Sequence, residues 1–409
     1  MAVWLYSPSV TLLLCLMAYI SYRCVPHHRC TIQYHNFHPR PEQEFLEDGG
    51  NGNDETAALE QWVLPAKELS SLWETLILDT TIKNHMLEYA SSAMLFADKG
   101  VSNHVIGINR VILLHGEPGT GKTSLCKALA HKLSIRLSDR YSSGQLLEIN
   151  AHSLFSKWFS ESGKLVAKLF EHITELADDE ECLLCILIDE VESLTAARSA
   201  AMRGNEPSDA VRVVNAVLTQ IDNLRARTNV LVLTTSNITG AIDLAFVDRA
   251  DLKQHIGLPP CKARYMILAS CLEELMRVGI IAPAVAIPCF AKAEPELKLA
   301  LEPDASTGTS TFAAGAASPV DDGSEMELCS TPQRGKANGT SKGGVCFALA
   351  RIASKSEGLS GRALRKLPFQ AHAFFVQQPC CTLLEFLAAL DQAVMKEQSC
   401  REDLRKEHI

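Results

Sequence analysis

The chain has 409 residues, 47% of them hydrophobic and 21% charged, with a formal net charge of −9. Its length allows two or three domains and a sizeable core. The acidic balance excludes broad electrostatic capture of nucleic acid and leaves only contact through a local patch. The 14 cysteines have no regular spacing, which excludes a disulfide framework and points to a reducing compartment.

Ala2 to Tyr22 is free of charge, with an apolar heart at Leu12–Ile20. Ser7, Pro8, Ser9 and Thr11 interrupt it, so it is marginal as a membrane span, and it lacks the basic n-region of a signal peptide. Membrane anchoring is therefore not favoured. Residues 23–58 are polar and end in Glu47-Asp-Gly-Gly-Asn-Gly-Asn-Asp54, which predicts a disordered linker. Cys24 and Cys30 within it have no second metal half-site nearby. From Leu59 a globular pattern begins. Trp62, Leu64, Leu69, Leu72 and Trp73 suggest an extended piece and then amphipathic structure, and Ile82–Phe96 predicts a helix.

From Asn109 to Pro260 strands and helices alternate, which implies a parallel sheet covered on both faces. The strands are predicted at Val111–Leu114, Gln145–Asn150, Leu183–Ile188 and Val230–Thr235. The helices are predicted at Lys122–Leu133, within Ser156–Leu176, and at Ala210–Asp222. Cys182 and Cys185 form a C-x-x-C in an apolar run. Residues three apart on a strand point to opposite faces, so a zinc or redox pair is disfavoured. Arg264–Val278 predicts a helix. Residues 291–344 are rich in Ala, Gly, Ser, Thr and Pro, which predicts a disordered insertion. Helical pattern resumes at Phe347, with helices expected at Gly361–Val376 and Thr382–Lys396.

Between the first strand and its helix lies Gly116-Glu117-Pro118-Gly119-Thr120-Gly121-Lys122-Thr123, a G-x-x-x-x-G-K-[ST] phosphate-binding loop, followed by Ser124. Its glycines let backbone N–H groups curl around phosphate oxygens. Lys122 supplies a charge at the β and γ phosphates of ATP, and Thr123 a hydroxyl for Mg²⁺. A second signature, Leu187-Ile188-Asp189-Glu190, ends an apolar strand in two acids at the sheet edge where ligands bind. Asp189 is a candidate Mg²⁺ ligand, and Glu190 a candidate general base for the attacking water. Asn237, at the tip of a third strand, would hold that water, although an Asn there is also a common helix cap.

Arg249 stands among Asp243, Asp248 and Asp251, a setting that fits either a surface ion pair or an arginine reaching a neighbour's site. Arg362, at the start of a helix, would contact the γ-phosphate. Lys157, Trp158 and Phe159 follow a strand among polar neighbours, which suits a loop gripping a polypeptide better than a core. The polar stretch 200–209 fits a second such loop or plain surface equally well.

Taken together, these residues resemble the AAA+ P-loop NTPase module: an α/β domain with a parallel sheet and flanking helices, plus a small helical lid. Within that class the chain resembles the pachytene checkpoint ATPase family, known in animals as thyroid hormone receptor interactor. The resemblance runs through Gln61–Pro65, Leu113–Ala130, Ser153–Lys164, Leu187–Ala197, Glu206–Asp209, Thr234–Thr239, Phe246–Asp251 and Ser356–Arg362, within roughly 59–285 and 346–400. The organisation it implies has the N-terminal part of the ATPase module at 59–108, the large domain at 109–260, and a lid formed by 261–290 with 345–409.

The resemblance also implies a homo-hexamer that uses ATP and Mg²⁺ to convert HORMA-domain proteins from closed to open form with a HORMA-type adaptor. It implies action in the spindle checkpoint and in meiotic recombination and synapsis, in nucleus and cytoplasm, associated with chromosomes. By position, Lys122 with Thr123 match the Walker A pair and Asp189 with Glu190 the Walker B pair. Asn237 matches sensor 1, Arg362 sensor 2, and Trp158 with Phe159 the pore loop, while Arg249 is the candidate inter-subunit arginine. Residues 1–58 do not resemble the family's substrate- and adaptor-binding N-terminal domain, so poor recruitment of HORMA substrates is expected. Glu117 replaces a proline usual in the loop. Two alternatives stay open, a membrane-anchored AAA+ extractase and a non-hydrolysing nucleotide-binding variant.

Overall fold

The computed structural model describes residues 42–44, 59–151, 162–193, 209–237, 244–291 and 342–407. The chain divides into two compact units. One gathers the described residues up to Pro259 together with Ser360–Arg362, and the other holds the remaining C-terminal residues from Pro260 onward.

The first unit is built on a seven-stranded sheet, and its strands in chain order are β1 (Glu42–Glu44), β2 (Leu59–Leu64), β3 (Val111–His115), β4 (Ser143–Asn150), β5 (Cys182–Asp189), β6 (Val230–Ser236) and β7 (Leu252–His255). The spatial order is β1-β2-β4-β5-β6-β3-β7. From β4 to β7 every pairing is parallel, as the alternation of elements predicts. The other edge departs from that expectation, because β2 and β1 pair antiparallel and make the sheet mixed. The three residues of β1 lie inside the stretch read above as a linker. β7 gave no signal in the sequence: it is an edge strand whose residues are half-buried or exposed in alternation, and Leu252 is its one apolar residue.

The central strands are apolar on both faces because helices cover both. On β5, Leu184, Ile186 and Ile188 face one core with α3 (Ser162–Ala177) and α4 (Asp209–Leu224), through Leu169, Phe170, Val217 and Ile221. The intervening Leu183, Cys185 and Leu187 face a second core with α1 (Thr80–Asp98) and α2 (Lys122–Arg136), through Met86, Leu125 and Leu129. This is the period-2 alternation of a strand buried on both sides. Burial pushes the Cys185 thiol up to about 12, which keeps it a protonated, inert part of that core. Asp79 caps α1 by accepting from Thr81 N at 3.0 Å.

The start of β3 is pinned by two polar devices, one at the surface and one buried. One oxygen of Asp251 accepts the N–H groups of Asn109 (2.8 Å) and Arg110 (2.7 Å) and the hydroxyl of Tyr89 (2.9 Å). Arg110, 4% exposed and held at φ 55°, donates to the carbonyls of Val230 (3.0 Å), Arg225 (2.8 Å) and Arg227 (2.6 Å). It thereby ties the end of α4 and the start of β6 to the strand that feeds the phosphate loop. Arg110→Ala strands one buried and two partly buried carbonyls and is expected to lower the unfolding free energy by about 2 kcal/mol. Urea titration checks this, and a change below about 0.5 kcal/mol would contradict the account.

The second unit is helical among its described residues: α6 (Cys261–Arg277), α7 (Lys342–Lys355), α8 (Gly361–Ala371, of which Gly361 and Arg362 group with the first unit) and α9 (Leu383–Glu407). A short helix, α5 (Leu244–Arg249), belongs to the first unit. Leu268, Leu349, Leu364, Phe386 and Leu390 are buried in the second unit. The single helix predicted over Gly361–Val376 is two pieces: α8 ends at Ala371 and a π-helical turn, His372–Val376, closes on Gln377 at φ 53°. Pro368 lies inside α8 and contributes no N–H to its ladder. α9 opens on a capping box, with Thr382 N donating to Glu385 Oε2 at 2.9 Å and Glu385 N to Thr382 Oγ1 at 3.4 Å. It runs well past the predicted end at Lys396, and Arg401 pairs with Glu397 one turn back at 2.8 Å.

Candidate active site

The tips of β3, β5 and β6 converge because their parallel register sets their C-terminal ends side by side: His115 pairs with Ser236, and Ile188 with Thr234. The chain leaves β3 at Gly116, held between its neighbours: Gly116 N donates to Ser236 O at 3.2 Å, while Ile256 N donates to His115 O at 2.8 Å. Gly116, Gly119 and Gly121 have φ of 147°, 77° and 99°, a region open to glycine but strained for other residues. Thr120 Oγ1 braces the loop by donating to Glu117 O at 3.0 Å. Gly121 is the N-cap of α2 and has no side chain to cap it, so the first N–H groups of that helix remain for an anion.

Lys122, 4% exposed, curls over the loop and donates to the carbonyls of Gly116 (3.0 Å) and Glu117 (2.8 Å). Burial pushes its ammonium below the usual lysine range, and the carboxylates of Glu192 and Asp189 pull it partly back. Two of its three N–H bonds are thus engaged, leaving a third for a phosphate oxygen. Thr123 donates its hydroxyl to Asp189, with 2.9 and 3.3 Å to the two carboxylate oxygens. The hydroxyl of Thr235 also donates to Asp189 Oδ1. Next along the chain, Glu190 sits at φ 59°, a strained value for a residue with a side chain. Its N–H donates to Thr235 Oγ1 at 3.2 Å, and its Oε1 accepts from Asn237 Nδ2 at 3.4 Å.

One cavity gathers Pro118, Gly119, Gly121, Lys122, Thr123, Ser124, Asp189, Glu190, Asn237 and Arg362. Arg362 is brought there by the backbone: its N–H donates to Gly119 O at 3.0 Å. Gly116 and Thr120 shape the loop without lining that cavity. Glu117 is exposed, so the acid that stands for the usual proline points to solvent. The donor set fits the expected ligands. A lysine, an uncapped helix N-terminus and a glycine cradle suit a triphosphate, and a hydroxyl with a carboxylate, both hard oxygen donors, suits Mg²⁺.

Arg249 lies elsewhere. It makes a bidentate pair with Asp222 (3.0 and 2.7 Å) and donates to Ala245 O at 2.8 Å. Lys157, Trp158 and Phe159 lie outside the described residues, as do the apolar stretch 2–22 and the stretch 292–341. Among the described residues, no helix is long and apolar enough to cross a membrane. Two residues at the site were missed in the sequence, Thr235 and Glu192. Thr235 had a signal: strand alternation places it on the same side as Asn237.

Comparison with known proteins bears on this arrangement. The family model "ATPase family associated with various cellular activities (AAA)" matches residues 112–258, and the model "TRIP13-like, AAA+ ATPase lid C-terminal domain" matches 260–311 and 319–398. The pachytene checkpoint protein 2 homologs of Gallus gallus and Homo sapiens are each 50% identical to this chain, over 92% of it and 78% of their own length. The chain belongs to the pachytene checkpoint protein 2 family of AAA ATPases. A solved structure of C. elegans PCH-2 is similar as well, with a TM-score of 0.64 and 39% identity over 85% of this chain and 78% of that one. As a family member the chain is a nucleotide-binding ATPase, and the fold is the AAA domain with a helical lid. The pachytene checkpoint resemblance seen in the sequence thus holds across most of the chain.

Proposed function

We propose that the cavity at the tips of β3, β5 and β6 hydrolyses Mg²⁺-bound ATP, and that this turnover drives remodelling of HORMA-domain proteins. The observation that carries the chemistry is the convergence of Lys122, Thr123, Asp189, Glu190, Asn237 and Arg362 on one cavity. The loop Gly116–Ser124 and the start of α2 bind the triphosphate through backbone N–H groups, with Lys122 as the local cation. Thr123 and Asp189 would hold Mg²⁺, which when bound neutralises charge on the phosphates. Glu190 accepts the proton of the attacking water, and the Asn237 amide, already donating to Glu190, orients both. Arg362 stabilises charge that develops on the transferred phosphoryl group.

The family membership supports the rest of the reading: a homo-hexamer that acts on HORMA-domain proteins with a HORMA-type adaptor. It would serve the spindle checkpoint, meiotic recombination and synapsis, in nucleus and cytoplasm and on chromosomes. In it, Lys157, Trp158 and Phe159 grip substrate, and 261–290 with 345–409 form the lid. Arg249 would serve a neighbour's site only by exchanging its Asp222 partner. The test uses the full chain, a closed-form HORMA protein and ATP. Light scattering should give six copies per particle, and ion-exchange chromatography should show ATP-dependent conversion to the open form. Turnover without conversion, in the presence of an adaptor, would refute the remodelling claim and leave the ATPase standing.

A further inference from the structure

We propose that Thr235 is the positioning residue that fixes the Asp189 carboxylate and the Glu190 backbone relative to each other, a single hydroxyl serving both. This rests on the roles proposed above for Asp189 and Glu190. Thr235 is 2% exposed and lies next to Thr234, the last β6 residue paired with β5. Its hydroxyl donates its one hydrogen to Asp189 Oδ1 and accepts the Glu190 N–H at 3.2 Å. Its carbonyl accepts the Val191 N–H at 3.0 Å. Three consecutive residues, Asp189, Glu190 and Val191, are therefore clamped by one residue of the neighbouring strand.

The clamp has something to oppose. Glu190 at φ 59° lies in a region that costs on the order of 1–3 kcal/mol for a residue with a side chain, and such a conformation persists only where its surroundings hold it. The N–H bond to Thr235 anchors the peptide on the N-terminal side of that torsion, and Val191 N to Thr235 O anchors the one after it. A β-branched side chain is stiff at χ1, so the hydroxyl cannot readily swing away from both partners. Among the described residues, the Thr235 side chain makes no hydrogen bond to the loop Gly116–Ser124, Lys122 included. Losing the hydroxyl should therefore misplace the acids without loosening the grip on phosphate.

The test compares Thr235→Val, which keeps the shape, Thr235→Ala, which adds no methyl against the carboxylate, and Thr235→Ser, which keeps the hydroxyl. Glu190→Gln is run beside them. Readouts are kcat for ATP, affinity for a fluorescent methylanthraniloyl-ATP measured in EDTA, and the thermal midpoint. A misplacement on the order of 1 Å predicts a kcat loss of about 100-fold for Val and Ala, with nucleotide affinity within about 3-fold. Thr235→Ser should recover to within about 5-fold of the parent chain. The proposal falls if Val keeps kcat within about 3-fold, or if Ser is as impaired as Val. It also falls if kcat, affinity and thermal midpoint decline together, or if both Val and Ala fail to fold, since Thr235 would then serve the fold alone. A normal Glu190→Gln would instead overturn the assignment of the base, and the proposed clamp with it. An inactive Glu190→Gln beside a normal Thr235→Val would overturn only the clamp.

Discussion

Glu190→Gln is expected to lower steady-state ATP turnover by about 10²–10⁴-fold, the range that a positioned general base contributes. The amide has the size of the carboxylate and can still accept from Asn237 Nδ2, which lies 3.4 Å from Glu190 Oε1. It cannot take a proton from water. The backbone N–H of residue 190 still reaches Thr235 Oγ1, so the strained turn is retained. Nucleotide affinity should stay within about 3-fold, because the phosphate loop and Lys122 are untouched and an uncharged side chain repels phosphate less. Phosphate-release kinetics and titration with fluorescent ATP separate the two effects. Turnover within about 10-fold of the parent chain would mean that another group takes the proton.

Gly116→Ala is expected to abolish tight nucleotide binding although it adds one methyl group. A Cβ at Gly116 would lie 2.2 Å from the carbonyl oxygen of Ile256 and 3.0 Å from its carbon, both backbone atoms that no rotamer change can move aside. The φ of 147° adds backbone strain for an L-residue. Relief requires the loop and the segment after β7 to part by on the order of 1 Å, a displacement that costs about 100-fold where geometry matters. Ile256 N to His115 O and Gly116 N to Ser236 O both resist that parting, so thermal stability should fall as well. Gly107→Ala is the matched control: a Cβ there meets nothing within 4 Å, and its φ lies outside the strained positive range. Methylanthraniloyl-ATP affinity and the thermal midpoint decide. Equal affinity in both variants would show that the loop tolerates the shift.

These contrasts mark how far the residues spoke for themselves. Gly116–Thr123 and Asp189-Glu190 were legible because each works through its own short stretch of backbone: glycines that permit positive φ, and a strand that ends in two acids. β3, β5 and β6 were legible because burial on both faces leaves a nearly unbroken apolar run. β7 was not, since an edge strand half in water carries no such run, yet the chain just after it confines Gly116. The antiparallel pairing of β2 with β4 was equally silent, because an apolar alternation marks a strand without naming its partner or direction. Arg249 had two readings in the sequence, and the structure pairs it with Asp222, 27 residues earlier.

The sequence by itself therefore determined the chemistry on offer: a phosphate loop, two acids, an amide and an arginine, each specified by residue type and local spacing. Only the tertiary structure decided how those groups meet. Parallel register sets the tips of β3, β5 and β6 together, Thr235 joins Asp189 to Glu190 from a strand more than forty residues away, and Gly119 O holds Arg362 N from the far end of the chain. The physical reason is that torsion preferences and burial patterns act over a few residues, whereas hydrogen bonds between strand tips depend on register, and register is settled only when both faces of the sheet are packed.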